Sequence, residues 1–218
     1  MELNEIQENL QQQDFQYRLK AIRALHQQPT DIAVPILLDH LTDREFLVRT
    51  FVAMALGKHQ TDRTFQALLE IMKYDDTPSV RAEASNSLSL FGRTSISHLT
   101  TAFIQDDNWI LRRSILAAIT DLDSPIELLE ICLEGLKGTD RPLHEACIAA
   151  LLTLTESPQK NTVMEHLIEL ASDEDPEKRR LTAHALRHFD HPRATATLQK
   201  LRQDPDHRVI AAALEELL

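Results

Sequence analysis

Apolar residues recur along this chain in two alternating patterns. In one, they fall three and four apart on polar stretches, as at Leu3, Ile6 and Leu10, or at Leu68, Leu69, Ile71 and Met72, the spacing of a single helix face. In the other, a basic anchor is followed at offsets three, six and seven by small or apolar residues: Ala21, Ala24 and Leu25; Ala84, Ser87 and Leu88; Cys147, Ala150 and Leu151. Those offsets also share one face at 3.6 residues per turn. The first pattern predicts A helices over about 2–13, 31–42, 62–74, 95–105, 125–137, 160–172 and 193–203. The second predicts B helices over about 15–27, 44–57, 77–91, 108–121, 141–155, 176–189 and 206–217.

The anchors are Arg18, Arg49, Arg81, Arg112, His144, Arg179 and His207, with gaps of 31, 32, 31, 32, 35 and 28 residues. A near-fixed period over the whole chain predicts a solenoid of stacked helical hairpins. The expected fold is all-α: one right-handed superhelical domain, 1–218, of about seven repeats at 1–28, 29–60, 61–93, 94–123, 124–157, 158–191 and 192–218. Prolines punctuate it. Pro78, Pro142, Pro176 and Pro205 precede anchors at the start of B helices, where no N–H partner is lost. Pro29, Pro125, Pro158 and Pro192 lie between repeats, and Pro35 falls in the first turn or so of an A helix. Asp14, Asp43, Asp76, Asp107, Asp140, Asp175 and Asp204 are placed as helix caps. The first A helix is polar around most of its circumference, as a capping repeat requires, whereas the apolar run ending AAALEELL carries no polar cap.

Composition narrows the function classes. Only 4 glycines and 5% aromatics suit helices better than sheets. A net charge of −11 opposes non-specific nucleic-acid binding, which needs a basic face. No apolar run spans a bilayer, and MELNEIQENLQQQD has neither a basic nor an apolar leader segment; a cytoplasmic, reduced protein is expected.

The D-x-x-x-x-V-R-x-x-A-x-x-A-L register is carried by Asp43, Val48, Arg49 and Ala55–Leu56 in repeat two, after Pro35 in its A helix. In repeat three it is carried by Asp75, Val80, Arg81, Ala84 and Leu88. This pattern resembles HEAT repeats of the short type found in cyanobacterial bilin lyases and phycobilisome-associated proteins. His144 and His207 depart from it at the anchor, and Lys178 and Asp206 replace the valine before it. The resemblance implies a non-catalytic interaction scaffold or assembly factor. Its partner would be a protein, such as a phycobiliprotein or thylakoid-associated protein. The alternative it implies is a bilin lyase-type protein. There Arg113, Arg180 and Arg187 would hold propionates, Trp109 would cover a ring and Asp107 would bind pyrrole N–H groups.

The residues themselves supply candidates. The anchor arginines form either a basic ladder for an acidic partner or stacking clamps reaching an aspartate or a helix-end carbonyl in the adjacent turn. Positions one, five and eight beyond each anchor line the B-helix face opposite the core: Thr50 and Met54; Ala82, Asn86 and Ser89; Arg113 and Ala117; Arg180, His184 and Arg187. That stripe is small and uncharged, then basic, which suits a partner groove; tight helix stacking asks for the same small residues. Phe46 and Trp109 precede their anchors by three, as turn staples or as exposed binding aromatics. Among His184, His188 and His191 the first two are four apart on one helix face, as metal ligands can be, but no glutamate lies between them in the metalloprotease position and no cysteine is near, so no metal is assigned. Cys132 and Cys147 read as buried apolar groups. No phosphate loop, nucleophile elbow or assembled triad is present in the sequence, so no catalytic residue is assigned.

Overall fold

The structure is a computed structural model, which describes residues 1–215. The predicted helix end at 216–217 and the chain's last residue lie outside the described residues. Among those described there are fourteen α-helices, two short 3-10 turns and no strand. The helices gather into two compact units, Met1–Leu122 and Asp123–Leu218, and the division falls where repeat four meets repeat five.

The first unit holds four hairpins: α1 (Leu3–Leu10) with α2 (Phe15–Leu25), α3 (Thr30–Leu38) with α4 (Phe46–Lys58), α5 (Asp62–Tyr74) with α6 (Pro78–Ser89), and α7 (Ile96–Gln105) with α8 (Trp109–Asp121). The B helices α2, α4, α6 and α8 pack side by side in that order. Their small residues allow it. Gly57 in α4 lies so close to α6 that an added Cβ would stand 2.7 Å from the Ser87 Cβ. Ser114 in α8 donates to the carbonyl of Ala82 in α6 at 3.0 Å. The A helices α5 and α7, with bulkier facing residues, touch each other much less. Between the two rows runs the core, with Ile22, Leu56, Leu68, Leu88, Leu99, Phe103, Ile115 and Ile119 fully buried. Each such side chain contributes about 1.5–3 kcal/mol on leaving water.

The second unit repeats the plan: α9 (Pro125–Gly135) with α10 (Arg141–Leu152), α11 (Lys160–Leu170) with α12 (Pro176–Leu186), and α13 (Pro192–Leu201) with α14 (His207–Leu214). Ile131, Leu151, Val163, Leu167, Leu186 and Val209 form its core.

Local chemistry refines the sequence expectations. Pro78, Pro142 and Pro176 start B helices as expected, and Pro125 and Pro192 also occupy first-turn positions, of α9 and α13. Pro35 lies inside α3 rather than in its first turn. The helices predicted at 77–91 and 141–155 give way near their ends to 3-10 turns at Gly92–Ser95 and Thr153–Glu156. Gly92 adopts φ +67, a backbone conformation open to glycine and strained for most other residues. Asp14, Asp140 and Asp175 cap their helices. Asp76 and Asp107 do not. Asn108 caps α8, and Asp43, Asp75, Asp106 and Asp204 each accept an N–H two residues on, shaping the turn ahead of the B helix.

Candidate interaction surfaces

The anchor arginines are structural clamps. Arg18 donates to Asp43 through Nε at 2.7 Å and Nη2 at 2.9 Å, Arg49 holds Asp75 with the same two distances, and Arg179 holds Asp204 at 2.7 and 2.8 Å. Arg81 reaches Asp106 at 2.9 Å. Each arginine also donates to the carbonyl six residues before it: Arg18 to Gln12, Arg49 to Asp43, Arg81 to Asp75 and Arg179 to Asp173. One guanidinium thus ties its own A–B turn to the A–B turn of the next repeat. A planar fork meets a carboxylate in this way and a lysine does not. Burial pushes the Asp43 and Asp75 carboxyls up, but the arginines and turn N–H groups outweigh it and both lie below the usual carboxylate range. The ladder is therefore engaged within the chain, not offered to a partner.

Arg112 and His144 follow a different scheme. Arg112 donates to the Phe103 and Asp106 carbonyls and its guanidinium lies 5.2 Å from the Phe103 ring centre. At its ladder spacing the sequence has Lys137 and Gly138 instead of an aspartate. His144 is buried and its Nε2 lies 2.9 Å from the Gly138 carbonyl, again six residues back.

The B-helix stripe is only partly open. In the first unit Met54, Asn86, Arg113 and Ala117 are exposed, and Thr50 and Ser89 are half-buried with their hydroxyls turned onto the Phe46 and Asn86 carbonyls. Ala82 was expected on the open face and is buried, 7% exposed, because α8 closes over it. Asn86 is tied in as well: its Oδ1 accepts from Ser114 Oγ at 2.5 Å, and the half-buried Glu83 bonds it, with burial pushing the Glu83 carboxyl up. Met54 borders a cavity of about 300 Å³ between α2 and α4, with Ile22, Arg23 and Phe51. Phe46 and Trp109, the first residues of α4 and α8, leave 43% and 49% of their surface exposed, so neither is a fully packed staple.

In the second unit the basic positions are already paired. Arg180 bonds Glu177 and lies 3.9 Å from Glu145. His184 Nδ1 is 3.1 Å and Arg187 Nη2 3.4 Å from Glu215. Burial lowers the His184 pKa, which Glu215 only partly offsets. The basic residues of this face thus have acids beside them: Glu177 lies on α12 itself, three residues before Arg180, whereas Glu145 and Glu215 come from α10 and from the end of α14, which spacing within α12 does not reveal. His191 caps α13, and His184 turns to Glu215 instead of sharing a ligand set with it. Cys132 and Cys147 are buried free thiols, and hydrogen bonding to Cys147 together with burial raises the Cys132 pKa well above normal. A thiol held protonated in this way is a poor nucleophile.

A surface that the stripe pattern does not reveal lies between the A helices. α5 and α7 enclose a groove of about 660 Å³, with Leu69, Met72 and Leu111 among its apolar lining and Glu70, Asp106 and Asp107 among its acids. A second groove of about 580 Å³ lies on the other side of Tyr74, bordered by Asp43, Asp75 and Asp76.

Stacked helical hairpins clamped through their turns define an α-solenoid of interaction-scaffold type. The chain belongs to the family of HEAT repeats, whose pattern matches residues 3–89 and 164–218. Its fold is similar to that of Escherichia coli YibA, with a TM-score of 0.63 and 17% identity over 97% of this chain and 80% of that one. It is also similar to the complex of CpcE and CpcF of phycocyanin lyase from Nostoc sp. PCC7120, with a TM-score of 0.54 and 17% identity over 97% of this chain and 92% of that one. No curated protein sequence matches it.

Proposed function

We propose that this protein is a non-catalytic scaffold or assembly factor that binds a protein partner on the B-helix face of its first unit. The observation that carries the reading is the division of labour on that unit. Arg18, Arg49 and Arg81 and the small residues Gly57 and Ala82 are used in packing, while Met54, Arg113, Ala117 and the rings of Phe46 and Trp109 stay open. Exposed aromatics and methionine beside an arginine are the composition of binding hot spots. The fold shared with the phycocyanin lyase complex motivates a finer proposal, a phycobiliprotein or thylakoid-associated partner in a cytoplasmic antenna context.

Met54 and Ala117 both stand five beyond their anchors, so a carboxylate at each is solvated in the free protein and desolvated under a docked partner. Met54→Glu with Ala117→Glu should keep helicity and reduce affinity capture of the partner from native lysate by on the order of a hundredfold, about 2.7 kcal/mol. Full capture by the folded variant would exclude this face. The bilin alternative keeps Arg113 and Trp109 as open groups, whereas Arg180 and Arg187 already hold carboxylates. Titrating an open-chain tetrapyrrole and recording its absorption tests it directly; an unshifted spectrum leaves the scaffold reading alone.

A further inference from the structure

The groove between α5 and α7 lies on A helices, away from the B-helix face, and the packing clamps do not use it up. Its lining follows helical spacing on both walls: Gln66, Glu70 and Lys73–Tyr74 on α5, and His98, Thr101–Ala102 and Gln105 on α7. One end is aromatic, where His98 packs edge-on against Phe65 at 5.6 Å and Phe65 against Phe91 at 5.1 Å. The other end is acidic. Asp106 already takes Arg81, but Asp107 and Glu70 have no ion-pair partner among the described residues. Tyr74, 64% exposed, stands at this end, and Lys73 Nζ lies over its ring at 4.9 Å. The chain's own cations thus already occupy two of the positions that a guest cation would use, one on a carboxylate and one on an aromatic face.

We propose that this groove docks a basic-apolar segment of a partner protein, with an arginine or lysine at Asp107 and Glu70 and an apolar side chain against the half-buried Leu69 and Ala102, above the buried Met72 and Leu111. Charge selects this occupant. Nucleic acid and anionic lipid are repelled by the rim and by the net charge of −11, and a second copy of so acidic a chain would bring acid against acid. The neighbouring groove across Tyr74 offers Asp76 as the counterpart of Asp107, but Asp76 is engaged by Arg49 at 2.9 Å, so the α5–α7 groove takes the cation.

The test uses the full chain and fluorescent peptides of four Leu-Arg, Leu-Gln or Leu-Glu pairs, read by anisotropy. The Leu-Arg peptide should bind, and the Leu-Glu peptide should not. Glu70→Lys with Asp107→Lys should weaken binding on the order of tenfold or more, with a matching loss as salt is raised. Thr101→Trp, at an exposed groove position, should block it while helicity is kept. Glu8→Lys with Glu130→Lys makes the same change in net charge at exposed sites outside the groove and should leave binding intact. An equal loss in that control means bulk charge, not a site, and overturns the proposal. Undiminished binding by the Thr101→Trp protein overturns it too. A concentration-dependent dimer dissolved by Thr101→Trp would show the groove filled by a second copy, which also overturns it. Met54→Glu with Ala117→Glu should leave peptide binding unchanged, so failure on the B-helix face and failure here are told apart.

Discussion

At the scale of single residues, the arginine clamps show how one side chain sets the spacing of repeats. Arg49 and Asp75 are 12% and 8% exposed at the side chain, and removing the guanidinium strands a carboxylate that has lost its water. Arg49→Ala should therefore cost about 3 kcal/mol, toward the low end for a broken buried pair because the turns lie near solvent. Arg81→Ala should cost less, since Asp106 keeps 26% of its side chain in water. Chemical denaturation of the two variants checks the order. Equal or reversed losses would show that the carbonyl bonds, not the carboxylates, hold the turns. Partner affinity per folded molecule should be unchanged in both. The arginine-to-aspartate relation was legible in the sequence because both residues recur with the repeat, and the pairing distance of 25 or 26 residues is constant in Arg18, Arg49, Arg81 and Arg179. Ala82 was not legible. Its offset from the anchor places it on the outer face of an isolated helix, and only the close approach of α8 buries it.

At the scale of elements, small residues decide which helices pack tightly and which leave a groove. Gly57 meets Ser87, and Ser114 reaches across to Ala82 and Asn86. Gly57→Ala should destabilise the first unit by about 1–3 kcal/mol, even though alanine is the better helix former, because the methyl group has no room. Ser87→Gly in the same chain should recover part of the loss, against a cost of roughly 1 kcal/mol for glycine in a helix. A double-mutant cycle with no coupling between the two positions would sink the explanation. The hydrophobic periodicities predicted the helices and their pairing, since each face had a single place to bury. The α5–α7 groove escaped prediction because it is a property of two helices held apart: Leu69 and Met72 share ordinary core spacing, yet Met72 is buried and Leu69 is left half-buried at the groove.

At the scale of the whole molecule, acid stability integrates the buried groups, and their signs can be worked out in advance. His59 is 5% exposed, with Nε2 3.2 Å from the Leu25 carbonyl and Nδ1 3.1 Å from Thr30 Oγ1. The neutral ring satisfies both neighbours when Nε2 donates and Nδ1 accepts; a proton on Nδ1 removes the acceptor. Burial lowers its pKa, and His26 and Lys58 add to the effect against the Leu25 bond. The unfolded ring binds its proton at about pH 6.5, so the stability from His59 is complete above that pH and is lost as pH falls through the lower folded value. Asp43, Asp75, Asp204 and Glu177 also titrate below their ordinary values, and their contributions are present above about pH 4 and lost beneath it. Glu83 acts in the opposite sense: burial raises its pKa, so its contribution is present in acid and fades as pH rises through the folded value. Tm followed by far-UV CD at constant ionic strength should be flat above about pH 7, decline gently below about pH 6.5 and fall steeply below about pH 4. His59→Gln should reduce the gentle decline to the share that His184, whose pKa burial also lowers, contributes, and should leave the steep one, because an amide can still donate to Leu25 and does not titrate in this range. Glu83→Gln should steepen the fall just above about pH 4, since it deletes a group that acts in the opposing sense. A wild-type profile flat down to pH 4 would show that His59 is protonated in the fold as readily as in the unfolded chain, and the neutral hydrogen-bonded ring joining Leu25 to Thr30 would have to be abandoned.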